Sequence, residues 1–505
     1  MIFNSYVFIF LFFPLCLFGY YALIYRKKKR AAQCFLLLMS FWFYGYFQVN
    51  YLLIMLFSIA VNYCFHRLLS KRPSGKLLFL AVAVNLGVLF YFKYFDFMIE
   101  NINMLTGSSF ALRHVLLPLG ISFFTFQQIG FVVDTYRGEV KDCGLLPYAL
   151  FVAFFPQLIA GPIVTQAEML PQFSRMGDQK CDWEKFARGY ALFVTGLFKK
   201  VILADTLGAG VSYGYSNIAL LGRWDAVIVI FAYSLQLYFD FSGYCDMAGG
   251  IGRMLGLEIP ANFNSPYKAV NIVDFWKRWH ITLNRFFTSY VYIPLGGNRR
   301  GKGRMYLNFL IVFFLSGVWH GAGWNFIIWG MLHGVLYVLT RWYLDEKALF
   351  WSGRPKKSCL SGHSLQYKVM TQMLVFASRI VLFLYVSIAW VYFRAADVSQ
   401  ANAMLLTALR GTVRKLSFDL ADCFRLDELW YVLKICRLDG FSYSRYLLMF
   451  LMLAVGFALV VFGKNAAQSA ERMKGRTVSA LALSVIFVWC VLSFSRVSVF
   501  LYFNF

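Results

Sequence analysis

Apolar runs of about 18 residues or more recur along the chain, separated by short polar and basic links. Each run is long enough to cross a hydrocarbon core of roughly 30 Å. Runs at 5–25, 31–47, 51–69 and 77–97 predict four spanning helices. A polar stretch from Glu100 to Arg113 follows, then a further span at 114–134 that carries Gln127 and Gln128. Residues 145–165 contain Phe155-Pro156-Gln157 and Ala160-Gly161-Pro162, which predict a broken or re-entrant helix. Such backbone is tolerated at membrane depth only where protein or a cavity covers it. The run 186–206 is interrupted by Lys199-Lys200, so it is expected to lie partly along the cytosolic interface. Spans at 224–246, 306–320, 324–340, 372–394, 446–463 and 478–500 complete the set. The stretches 343–370 and 395–444 are mixed in charge and predict short interfacial helices. The expectation is an all-α polytopic membrane protein with roughly ten to twelve transmembrane helices, plus re-entrant and amphipathic pieces. A single membrane-embedded domain over 1–505 is expected, because 60% of the residues are hydrophobic and only 14% charged.

The formal net charge is +25. It does not point to nucleic acid, because the basic residues gather between apolar spans, as the positive-inside bias predicts. Arg26-Lys-Lys-Lys-Arg30 follows the first span, and no Lys or Arg precedes that span. The N-terminus is therefore expected outside and residues 26–30 in the cytosol. The basic stretches from His66-Arg67 to Lys76 and from Arg137 to Lys141 fall on the same side by alternation. The ten cysteines are scattered without a CxxC pair, so neither a metal site nor a disulfide framework is expected.

Candidate chemistry comes from the six histidines. Ionisable residues within membrane segments are costly and tend to be functional. Two histidines stand in Trp-flanked settings: Asp274-Phe-Trp-Lys-Arg-Trp-His280 and Gly317-Val-Trp-His320-Gly321. Taken as one helix at about 100° per residue, 272–287 places Ile272, Phe275, Trp276, Trp279, Leu283 and Phe286 on one face. Asp274, Lys277, Arg278 and Arg285 lie opposite, which describes an amphipathic interfacial helix with His280 at the edge of its apolar face, beside Trp276. Next comes Asn298-Arg-Arg-Gly-Lys-Gly-Arg304. Its Arg299, Arg300, Lys302 and Arg304 suit cytosolic anchoring and, with Lys277 and Arg278, a seat for the phosphates of a donor such as CoA. From Tyr306, fourteen helical steps of about 1.5 Å bring His320 roughly 21 Å into the membrane. Gly317, Gly321 and Gly323 around it allow backbone or substrate to approach closely, and Trp319 and Trp324 flank it. This setting suits a general base that takes the proton of an acceptor hydroxyl as it attacks a thioester, with burial keeping the ring neutral. Trp319, Asn325 and Gln127 are candidates to orient the intermediate; Asp240 and His333 are further site-lining candidates. The HxxxxD pattern of soluble-type acyltransferases, HExxH and a P-loop are absent.

Several motifs together resemble the membrane-bound O-acyltransferase (MBOAT) family, most nearly its bacterial alginate O-acetyltransferase branch. They are Tyr233-Ser-Leu-Gln-Leu-Tyr-Phe-Asp240-Phe-Ser-Gly-Tyr-Cys-Asp246, Asn262-Phe-Asn-Ser-Pro-Tyr267, the stretch from Asp274 to Leu283, Tyr290-Val-Tyr-Ile-Pro-Leu-Gly-Gly297, and the run around His320. Phe154-Phe-Pro-Gln-Leu-Ile-Ala-Gly-Pro162 and Trp390-Val-Tyr-Phe-Arg394 extend the match. Asn284 and Thr288-Ser289 depart from the pattern, where Ser and Arg-Asp would stand. The resemblance implies a family core over 1–340 with additional helices over 341–505. It also implies a ring of helices around a thin centre, with a cytosolic donor tunnel and an outer acceptor funnel. It makes His320 the family's near-universal histidine and His280 the second histidine of this branch. It implies no bound cofactor and acetyl-CoA as acyl-donor substrate. The expected setting is a bacterial inner membrane, and the expected partner a polysaccharide or an extracytoplasmic acyltransferase. D-alanyl transfer from a carrier protein to teichoic acid is the rival enzyme reading, and a transporter the rival of another class.

Overall fold

In the computed structural model, residues 1–140, 142–177, 181–352, 365–438, 440–441, 443–472, 477–496 and 501 are described. These residues are helical or irregular, with no strand among them. Among the described residues, six helices are long and apolar enough to cross a membrane: Phe8–Tyr25, Val49–Lys71, Gly75–Lys93, Arg223–Met254, Val369–Arg394 and Ser444–Val461. The chain is thus an all-α polytopic membrane protein. Lys141, the middle of 343–370 and the end of the 478–500 span lie outside the described residues.

By contacts the chain forms two compact units. The first comprises Met1–Ile202, Asp240–Ala261 and Ala466–Phe505; the second comprises Leu203–Phe239 and Asn262–Asn465.

In the first unit the span expected over 114–134 is a shorter helix, Ile121–Tyr136. The chain turns at Gly120 (φ 72°), where an added Cβ would meet the Leu158 carbonyl at 2.9 Å. Nearly every residue of this helix is buried. A helix enclosed by protein on nearly every side meets little lipid, so its length need not match a membrane span. Gln128 shows how its polar groups are satisfied: it donates to Ser58 Oγ (2.9 Å) and accepts from the Tyr148 hydroxyl (3.0 Å). The broken segment expected over 145–165 is present as Leu145–Ala153, the single turn Phe155–Leu158 and an irregular run to Thr165. It is buried almost throughout. Phe155 N–H donates to Ser40 Oγ (3.2 Å) and Gln157 Nε2 donates to the Phe151 carbonyl (3.0 Å), which is how irregular backbone survives there.

Lys199 and Lys200 do not end their helix, which runs on through them. Trp183–Phe198 continues into a π-helical turn over Lys199–Ala204. The wider turn lets both ammonium groups reach acids on the Arg223–Met254 helix. Lys200 Nζ meets Asp240 Oδ1 at 2.7 Å with both side chains almost fully buried, and Lys199 Nζ meets Asp246 Oδ2 at 2.6 Å. The helices come close enough because glycines face each other. An added Cβ at Gly243 would sit 2.8 Å from the Gly196 carbonyl, and one at Gly250 would sit 2.6 Å from that of Gly189.

In the second unit the helices Lys302–His320 and Trp324–Ser352 form a tight hairpin. It is held on backbone contact. A Cβ on Gly317 would lie 2.6 Å from the Phe326 carbonyl, and one on Gly330 would lie 2.5 Å from that of Phe313. The expected short helices of 395–444 are Val398–Arg410, Phe418–Cys423 and Asp427–Ile435.

Candidate active site

His320 is the last residue of its helix, and extended Gly321 takes the chain out of it. The glycine at 317 therefore serves close backbone approach. His320 is buried, with its ring against Trp319 (centroids 4.9 Å), Trp329 (4.9 Å, perpendicular) and Phe393 (5.1 Å). Trp324, expected beside it, opens the next helix and is exposed; Trp329, further along the same helix, stands there instead.

The single helix expected over 272–287 is two short helices, Ile272–Trp276 and Ile281–Phe287. The apolar positions 272, 275, 276, 279, 283 and 286 are all buried, as the pattern requires. The helix breaks because neighbouring groups outcompete its own ladder. Asn264 N–H donates to the Arg278 carbonyl (2.9 Å), and Ile281 N–H donates to the Asn262 carbonyl (3.0 Å). Asn284 Nδ2 donates to the carbonyls of Trp276 and of Trp279 (2.8 Å), so this departure from the family pattern satisfies the end of the first short helix. His280 sits at the break in a left-handed conformation, φ 46° and ψ 52°. That backbone is uncommon for a residue other than glycine and is held only where its surroundings over-determine it.

The break carries His280 away from Trp276 and toward the hairpin. Its ring lies 6.4 Å from that of His320 and 6.3 Å from that of Trp319. His280 lies outside the spanning helices, and burial pushes its ring down to about 3, so it is neutral.

Trp276 packs instead on His333 (5.1 Å), which also meets Trp329 (5.2 Å) and Trp390 (5.7 Å). Trp329 thus separates His320 from His333. His333 is fully buried, and neither ring nitrogen has a hydrogen-bond partner among the described residues. Asn325 Nδ2 donates to the carbonyls of Tyr392 (3.2 Å) and Ala395 (2.9 Å), so its amide braces the end of the Leu365–Arg394 helix. Gln127 and Asp240 belong to the first compact unit. Gln127 is buried there and Asp240 holds Lys200.

Of the basic candidates, Arg278 is tied to Asp274 (2.8 Å), whereas Lys277, Arg299, Arg300, Lys302 and Arg304 are exposed. Lys302 approaches Glu346 at 3.5 Å. The stretch 298–304, which bears the last four, is anchored by Asn308, which donates to the Gly297 carbonyl (3.0 Å), and by Tyr292 stacked on Phe309.

The sequence pattern did not single out Trp329, Phe393 or Asn262 as site residues. Asn262 stands eighteen residues before His280 and contacts it (3.2 Å). Its only signal was its place in the Asn262–Tyr267 motif. Gly210-Val-Ser212-Tyr-Gly214 spells the GxSxG of a nucleophile elbow, which requires a strand-to-helix turn. Here it lies inside the helix Asp205–Ser216, with Ser212 exposed and both glycines packed on Phe424 and Val229.

The membrane-bound O-acyltransferase family matches residues 36–392. Over 545 aligned positions the chain is 38% identical to a peptidoglycan O-acetyltransferase of Helicobacter pylori, covering 100% of this chain and 98% of that protein. It is 38% identical to the probable alginate O-acetylase AlgI of Pseudomonas aeruginosa over 414 positions, 80% of this chain and 74% of the relative. A teichoic acid D-alanyltransferase of Bacillus subtilis is 32% identical over 43% of this chain and 57% of that protein.

Proposed function

The chain belongs to the membrane-bound O-acyltransferase family, and on that footing we propose that it moves an acetyl group from acetyl-CoA to hydroxyls of an extracytoplasmic polysaccharide. Transfer is direct or runs through a partner acyltransferase. The observation that carries this reading is the His280–His320 pair, two buried imidazoles with ring centroids 6.4 Å apart within aromatic walls. The full-length match to a peptidoglycan O-acetyltransferase favours a cell-wall glycan as acceptor. The D-alanyl relative matches less than half of the chain.

In this reading His320 accepts the proton of the attacking hydroxyl. The oxygen bonds to the thioester carbonyl carbon, the carbon–sulfur bond breaks, and the CoA thiolate leaves and takes up a proton. The aromatic walls exclude water that would hydrolyse the thioester. The N-terminus is extracytoplasmic and the protein sits in the bacterial inner membrane, so the exposed basic loop 298–304 faces the cytosol and receives the CoA phosphates.

The test is purified protein in nanodiscs with labelled acetyl-CoA and a glycan acceptor, following CoA release and label on the glycan. Release without transfer to any glycan would remove the acceptor class. No release from folded protein would replace acetyl-CoA by a carrier-protein thioester. For the loop, the double variant Arg299→Ala/Arg300→Ala is expected to raise KM for acetyl-CoA roughly tenfold and leave kcat nearly unchanged. Steady-state kinetics in low and high salt check this, since the wild-type advantage should shrink as salt screens the exposed charges.

A further inference from the structure

We propose that Asn262 is a positioning residue that fixes which nitrogen of His280 carries the proton. The inference rests on the reading of His280 and His320 as the acyl-transfer pair. It starts from the identity of one atom. The side-chain atom of Asn262 nearest His280 also lies 3.1 Å from Thr282 N and 2.9 Å from Thr282 Oγ1. A backbone N–H can only donate, so this atom is the amide oxygen, Oδ1. His280 Nδ1 approaches the same oxygen at 3.2 Å. Two lone pairs facing each other at that distance would repel, so Nδ1 bears the hydrogen and donates it. The neutral ring is then the Nδ1–H tautomer, and its basic lone pair lies on Nε2.

Asn262 holds the backbone of His280 as well as its ring. Its carbonyl accepts from Ile281 N–H (3.0 Å), and Asn264 N–H donates to the Arg278 carbonyl on the other side (2.9 Å). The strained left-handed residue is thereby fastened before and after. One asparagine sets the turn that brings His280 to His320 and the nitrogen that His280 offers there. Nε2 then accepts one hydrogen of a water whose other hydrogen goes to His320, the base, as the water oxygen takes the proton of the attacking hydroxyl. An Nε2–H tautomer would place a proton donor there and oppose the transfer.

The experiment uses full-length protein in lipid bilayers with ¹⁵N-labelled histidine. Six histidines keep the spectrum small, and subtraction of a His280→Ala spectrum assigns His280. Wild-type protein is expected to show His280 with a protonated Nδ1 and an unprotonated Nε2. The opposite pattern overturns the proposal, whatever the activity. Asn262→Leu is expected to scramble the two signals and lower kcat on the order of 10- to 100-fold, with KM little changed. Asn262→Asp keeps an acceptor at Oδ1 and is expected to restore Nδ1 protonation and most of kcat. An Asn262→Asp protein that is folded and as slow as Asn262→Leu overturns the proposal. Should His320→Ala retain full activity while wild-type His280 carries its proton on Nδ1, the acyl-transfer reading falls and the Asn262 assignment stands.

Discussion

His320→Ala is expected to lower acyl transfer roughly 10²- to 10⁴-fold, the range of a lost general base, while the protein stays folded. The rate should fall through kcat, because the imidazole acts on the hydroxyl proton in the transition state and not on donor binding. Folding should survive because the position of His320 is set by the glycine contacts of Gly317 and Gly330, not by its ring. A small cavity will remain among Trp319, Trp329 and Phe393, and His320→Gln fills most of it. If His320→Gln is folded and nearly fully active, the ring is a packing element and the base lies elsewhere. Detergent thermal melts beside CoA-release kinetics separate the two outcomes.

The second large effect concerns stability. Asp240→Ala removes the partner of a lysine that is only 3% exposed. Breaking a buried ion pair from one side costs about 3–5 kcal/mol, because it takes away a carboxylate that balances a buried charge. The expected result is a markedly lower thermal midpoint and poor recovery from the membrane. The double variant Lys200→Met/Asp240→Leu removes both charges at similar volume and should recover most of the loss. A single variant as stable as wild type would mean that Lys200 reaches another acceptor. A stable double variant that retains acyl transfer would place Asp240 in the scaffold, and one that loses transfer would return it to the site.

Much of this arrangement was legible in the residues. The spans at 51–69, 77–97, 224–246 and 446–463 are visible because apolar residues dominate each run, and helices cover them to within a few residues. The break between the 306–320 and 324–340 runs was readable, and so, from its prolines and glycine, was the broken segment near 155–162. Three features were not. The π-turn at Lys199–Ala204 looks like an interruption because a sequence shows two cations and not the acids forty residues on. Ile121–Tyr136 looks like a full span because its hydropathy is that of a membrane helix, while its length is set by Gly120 against Leu158. The break at His280 is hidden most deeply. The amphipathic pattern across 272–287 is genuine, and all of its apolar positions are buried. What ends the first helix is a set of hydrogen bonds from Asn262, Asn264 and Asn284, one local and two from a distant stretch. Periodicity carries no trace of such competition.

The hairpin that bears His320 has a consequence for how this enzyme can change. Where two helices touch through main-chain atoms, there is no side chain left to enlarge, trim or rotate. The stretch from Phe313 to Gly330 therefore behaves as a fixed rail, and drift in donor size or acceptor shape cannot be accommodated along it. The adjustable wall is the one opposite, where Trp390 and Phe393 of the Leu365–Arg394 helix reach the histidines with rings alone. Descendants of this sequence that accept bulkier acyl groups would record their history there, on a surface of replaceable aromatics facing an immovable edge.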